Sequence, residues 1–178
     1  MIDLIKWTER KFKFDFPVSE FPVIVCRLKG TLPRIKSIVV PEEYLRENFS
    51  DEKLSEKVNG AYSLKEHIGH LCDLEELHEG RLEDFKNKKE ILRAADMSNA
   101  KTTAANHNQK PLWVLLEEFQ LVRNSFINKI ENLSAEELAQ TSFHPRLKIP
   151  MRLVDMTFFV AEHDDHHLAI MMRDWKLY

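Results

Sequence analysis

From residue 152 onward the chain carries an apolar stripe at helical spacing that runs straight into histidines. Leu153, Met156 and Val160 are followed on the same face by His163, His167 and Met171. Residues four apart on an α-helix lie about 40° from each other, one turn above the other. At about 100° per residue, His163 and His167 sit roughly 60° and 20° from Val160, while His166 points to the flank, roughly 120° away. Two imidazoles one turn apart have the spacing needed to share one metal ion. A chain that buries such a face is a helical bundle with a metal site inside it. The competing reading is a pair of buried, hydrogen-bonded neutral histidines.

The rest of the chain supports the helical reading. Only four glycines occur among 178 residues, and long segments have a 3.6-residue period. A first helix is expected from Pro22, with Val25, Leu28, Leu32 and Ile35 on its face and a kink or restart at Pro33. A short helical turn is expected over Pro41 to Asn48, and Gly60 breaks the pattern. Ser63-Leu64-Lys65-Glu66 is a capping box that starts a second helix, running to about Lys88. Its stripe is Leu64, Ile68, Leu71, Leu74, Leu82 and Phe85; His67 and His78 fall inside it and His70 at its edge.

Residues 94–110 read as a long connection, which by its position could cover one end of the bundle. A third helix follows from Pro111, with Leu112, Leu115, Phe119, Val122, Phe126, Ile130 and Leu133 near a heptad seam. Ser134 to Glu137 repeats the capping box, Thr141 to Pro150 reads as a loop, and a fourth helix spans Arg152 to Arg173. Near the N-terminus, Phe12, Phe14 and Phe16 share one face of an extended arm. Trp7, Trp113, Trp175, Met151, Met156, Met171 and Met172 read as packing residues. The expectation is one all-α domain over residues 1–178, a four-helix bundle with an extended N-terminal arm.

A net charge of −3 and a pI near 6.2 give no electrostatic reason to bind nucleic acid. The first ten residues carry charges where a secretion signal needs an apolar stretch, and no run of about 18 apolar residues exists to span a membrane. Cys26 and Cys72 have no paired spacing and read as reduced thiols. A cytoplasmic protein acting on a small molecule is expected, with the oligomeric state open, a homodimer included.

A third imidazole must come from His67, His70, His78, His107 or His144, and periodicity slightly favours His67 or His78. Tyr62-Ser63-Leu64-Lys65-Glu66-His67-Ile68-Gly69-His70, followed later by Ala161-Glu162-His163-Asp164-Asp165-His166-His167, resembles the DinB-like superfamily. That family pairs an aromatic residue, usually tryptophan and here Tyr62, with a histidine eight positions on. The resemblance implies a four-helix bundle with a divalent metal on His70, His163 and His167, His67 being a packed or supporting histidine.

Three neutral imidazoles leave a four-coordinate ion one open position, which suits catalysis. Zinc or nickel is the expected ion. It would activate water, as in a hydrolase, or a low-molecular-weight thiol, as in the S-transferases that the resemblance brings in. Asp164, beside His163, is the expected catalytic residue, as a base or as the acceptor of an imidazole N–H. Glu75, His78 and Arg81 are placed to border the pocket. His144-Pro145-Arg146 reads as a surface turn or as an anion-binding arginine beside the site. The alternative function is a non-catalytic or stress-linked interaction bundle whose ion only pins helices together.

Overall fold

The computed structural model describes residues 4–39, 50–58 and 60–174. The helical turn expected over Pro41 to Asn48 and the packing role of Trp175 lie outside the described residues. In chain order the elements are α1 (Phe21–Val39), α2 (Asp51–Leu54), α3 (Leu64–Lys86), α4 (Ala100–Ala105), α5 (Leu112–Ile130), α6 (Ala135–Ala139), β1 (Thr141–Phe143), β2 (Pro150–Arg152) and α7 (Leu153–Asp174). The four long helices form the bundle. α3 packs on α5 and α7, and α1 packs on the same two. Helices consecutive in the bundle, α1 and α3, therefore face each other mainly across its diagonal, as do α5 and α7.

Local chemistry accounts for most boundaries. Both capping boxes form: Ser63 with Glu66 opens α3, and Ser134 with Glu137 opens α6. Pro33 does not break α1, contrary to the expected kink or restart. It lies on the exposed face beside exposed Lys29, whose stranded carbonyl can bond water. The connection over residues 94–110 is not bare loop. It holds α4 and a 3-10 turn, His107–Gln109, entered through Asn99 and Asn106, both left-handed with φ 54° and 48°. Asparagine is among the few residues that tolerate this backbone. The stretch from Thr141 to Pro150, expected as a loop, instead holds β1 and the first residue of β2, which pair as an antiparallel ribbon with Ser142 opposite Met151.

The N-terminal arm makes no ladder, but its phenyl rings pack as expected. Phe12 and Phe14 lie against Phe159, and Phe16 stacks on Phe158. Asp155 fixes the arm by accepting the Phe16 N–H at 3.1 Å, and Arg152 donates to the Phe16 carbonyl at 2.9 Å. Met151, Met156 and Met171 are fully buried. Trp113, expected to pack, is 62% exposed on the outer face of α5. Both cysteines are free thiols. No helix among the described residues is long and apolar enough to cross a membrane.

The bundle core is two apolar clusters with a polar layer between them. Each long helix gives the layer one buried residue: Thr31, Glu75, Arg123 and Asp164. Arg123 donates to Glu75 Oε1 at 2.8 Å and to both Asp164 oxygens, and the Thr31 hydroxyl donates to Asp164 at 2.8 Å. Burial alone would raise the Glu75 carboxyl, but the Arg123 charge and the contact with His78 hold it below the usual carboxylate range.

Candidate metal centre

His163 and His167 project from consecutive turns of α7, their Nε2 atoms 3.2 Å apart. His70 projects from α3 toward the pair, its ring centroid 5.5 Å from that of His163 and 4.9 Å from that of His167. One ring nitrogen from each of the three lies within 4.8 Å of the others. His70 sat at the edge of the sequence stripe, yet it is buried, because α3 has neighbours on two sides.

Two further side chains orient these rings. His70 Nδ1 lies 3.1 Å from Thr102 Oγ1, so as an N–H donor there it keeps the Nε2 lone pair for the cluster. His167 Nδ1 lies 2.7 Å from His67 Nδ1, which leaves His167 Nε2 for the cluster in the same way. Thr102 comes from α4, inside the stretch read as a connection, and no sequence signal linked it to His70.

Burial keeps the rings neutral. His163 and His167 are held well below the ordinary value of 6.5, first by burial and then by the charges of neighbouring imidazoles. His70 is pushed down to about 4, chiefly by burial. Neutral imidazoles offer lone pairs, the form in which a metal binds them.

The pair on α7 has the spacing of two ligands on a tetrahedral ion. Metal–nitrogen bonds of about 2.0–2.1 Å at a tetrahedral angle separate two ligand nitrogens by about 3.3 Å. The Nε2 atoms of His163 and His167 are at 3.2 Å, and when both rings carry their protons on Nδ1 their lone pairs face each other. A cation between them removes that repulsion. His163, His167 and His70 also line a cavity of about 510 Å³, walled further by Trp7 and Tyr62. Trp7 sets its edge against His163 at 4.8 Å, and Tyr62 lies 5.5 Å from His70.

The other residues singled out in the sequence divide. His78, Arg81, His144, Arg146 and His166 line the cavity, and Ala95, Asp96, Met97 and Asn99 cover part of it from the connection before α4. Leu74 is half-buried and lines the cavity, while Glu75 takes the buried slot expected for it and turns to Arg123. His107 pairs with Asp73 at 2.9 Å and lies against Gly69, where a Cβ would collide with the imidazole. Glu162 and Asp165, which flank the histidines in sequence, pair with Arg27 at 2.6 and 2.5 Å and are only partly exposed.

Asp164 does not occupy the place that the sequence predicts for it, as acceptor of an imidazole N–H or as base. Both its oxygens are instead engaged by Arg123 and Thr31, it is fully buried, and it does not line the cavity. Its basic partner Arg123 lies in the α5 stripe four residues after Phe119, and a charge in an apolar stripe is the sequence sign of a buried counter-charge.

The buried histidines set a pH dependence of stability for the metal-free chain. His67 and His144, both outside the three-histidine cluster, are each pushed down from 6.5 to about 4, burial being the largest cause. Between those values the unfolded chain binds more protons than the folded one. Stability is therefore complete above pH 6.5 and falls as the pH drops toward 4, by about 1.4 kcal/mol per pH unit for each histidine that must stay neutral. Urea unfolding of chelated protein across this range is expected to show the midpoint falling with acid. A flat midpoint would contradict the neutral, buried state of these rings.

Two comparisons with known proteins bear on the family and the fold. The sequence model described as the DinB superfamily matches residues 43–171. Among solved structures, the chain is similar to YfiT from Bacillus subtilis, described as a probable metal-dependent hydrolase with an unusual four-helix bundle topology. The two share 17% identity over 93% of each chain, with a TM-score of 0.72, a likeness of fold.

Proposed function

This chain belongs to the DinB superfamily, and from that premise we propose that it is a metal-dependent enzyme acting on a small molecule, with His70, His163 and His167 as the metal ligands. The observation that carries the reading is the cavity. All three histidines line it, so an ion held by them faces a space of about 510 Å³ and is not sealed in protein. An ion that only pinned α3 to α7 would be enclosed on every side.

When bound, a divalent ion such as zinc or nickel supplies the positive charge that makes water or a low-molecular-weight thiol a nucleophile near neutral pH. The residues of the chain do the rest. His67 and Thr102 fix the imidazoles of His167 and His70 through their Nδ1 atoms. Trp7 and Tyr62 exclude water from two sides of the cluster. The Arg123–Asp164 pair sets the axial position of α7 and has no direct part in the chemistry. Hydrolysis draws support from the description of YfiT. Thiol transfer draws support from the resemblance noted in the sequence.

The test is to purify the chain without added metal, measure bound metals, and assay loaded and chelated protein. One panel holds esters and amides, and a second holds thiols with electrophiles. The expected result is a divalent ion in stoichiometric amount and turnover in one panel that chelation abolishes and metal restores. A retained ion with no metal-dependent turnover in either panel would point to a structural ion and end the enzymatic reading.

A further inference from the structure

The cavity continues along α3 for about three turns beyond His70, through Leu74, Leu77 and His78 to Arg81. Nothing in the metal chemistry accounts for its other end. Arg81 is 4% exposed, yet no carboxylate lies within ion-pair distance of it among the described residues. Its Nε donates to the Arg93 carbonyl at 3.2 Å, and that is its one nitrogen with a protein acceptor among the described residues. The nearby carboxylate, Asp84, is already taken by Arg93 through Nε and Nη2. Arg146 adds a third guanidinium to this neighbourhood. A buried cation without a counter-ion is unfavourable, and a guanidinium with unpaired N–H groups on a cavity wall is suited to a planar or tetrahedral oxyanion.

The neighbouring histidines add to this. His144 is 2% exposed, and its Nδ1 accepts the Leu147 backbone N–H at 3.2 Å. The proton of the neutral ring is therefore on Nε2, which is buried without an acceptor among the described residues. His78 stands beside it on the cavity wall, its Nδ1 3.6 Å from Glu75 Oε1. Asp96, the acidic residue on the wall, does not supply the missing counter-charge. Its oxygens are occupied by the Ser98 N–H and hydroxyl and by the Ala100 N–H.

We infer that the end of the cavity walled by Arg81, His78 and His144 receives an oxyanion group of the substrate, a carboxylate or a phosphate, which places the reacting bond at the three histidines. This names the substrate class of the enzyme proposed above and rests on that reading for the second part only. The anion subsite itself needs no metal.

The test uses the full chain, labelled with nitrogen-15, freed of metal by chelation and titrated separately with inorganic phosphate and with acetate. The expected result is a saturable shift of the Arg81 Nε–H and His144 Nε2–H resonances, with affinity at least tenfold weaker in Arg81→Gln. A response to phosphate alone identifies a phosphorylated substrate, and a response to acetate identifies a carboxylate. The wild-type shifts decide the matter even if Arg81→Gln does not fold. No shift with either anion overturns the inference. So does binding that appears only in metal-loaded protein and vanishes in His163→Ala, since the anion then sits on the ion. Anion binding in a chain that never takes up metal supports the subsite while the metal reading fails.

Discussion

His163→Ala and His167→Ala are each expected to bind a divalent ion about a thousandfold more weakly than the parent chain. The scale is ~2.5–4 kcal/mol per imidazole, with a thousandfold at its upper end, from dividing the ~10–16 kcal/mol of a closed zinc site among its four ligands. His70→Ala belongs to the same class, because its ring is the one α3 brings to the pair. Turnover is expected to disappear with the ion. His67→Phe is the informative contrast. It keeps all three cluster nitrogens and removes only the group that holds His167 Nδ1 at 2.7 Å. Loss of such an orienting partner costs about 10–100-fold in affinity. Competition against a chromophoric chelator measures all four variants on one scale. A His67 variant that loses its metal while the His70 variant keeps it would show that His67, not His70, is the third ligand.

Arg123→Met is expected to destabilise the fold by about 3–5 kcal/mol, because it leaves Glu75 and Asp164 as buried carboxylates without a cation. Methionine keeps most of the side-chain length, so lost packing contributes little. Urea unfolding measures the loss. The effect has a distinctive pH signature. In the parent, Glu75 is held below its ordinary range, so its contribution is present above the unfolded pKa and is lost as the pH falls. In the variant the Arg123 charge that holds Glu75 down is gone, and burial raises the Glu75 carboxyl so that it favours the protonated form. The penalty is then largest near neutrality and shrinks in acid, and the gap between parent and variant narrows as the pH falls. Adding Glu75→Gln and Asp164→Asn to Arg123→Met is expected to recover much of the lost stability. A gap that does not change with pH would mean that packing, not stranded charge, explains the variant.

The long helices and the α7 histidines were legible in the sequence because both follow from one period. Leu153, Met156, Val160, His163 and His167 share a face on any α-helix, whatever surrounds it. His70 was not legible on that basis. The width of a helix's buried arc depends on how many neighbours it has, and the family resemblance, not the helical wheel, pointed to the ring that turns inward. Trp113 and Leu74 erred for the same reason, as apolar residues whose side of the helix depends on partner placement. Asp164 illustrates a different limit. Its neighbour in sequence is a candidate ligand, but its neighbours in space are Thr31 and Arg123, 133 and 41 residues away. Thr102 shows the same limit: an unremarkable residue in a polar stretch becomes the partner of His70 once α4 folds back on α3.

The charged layer across the bundle has a mechanical consequence. Apolar contacts have no direction, so they fix the register of two packed helices less sharply than a hydrogen-bonded ion pair does. Arg123 sharpens that register by acting as a pawl between two rods. If α7 slipped along or rotated past α5, Asp164 would leave its guanidinium and strand a charge in the interior, so α7 has one permitted tooth. His163 and His167 ride on that tooth, and the opening they present to a guest keeps its shape even when the apolar clusters on either side are repacked.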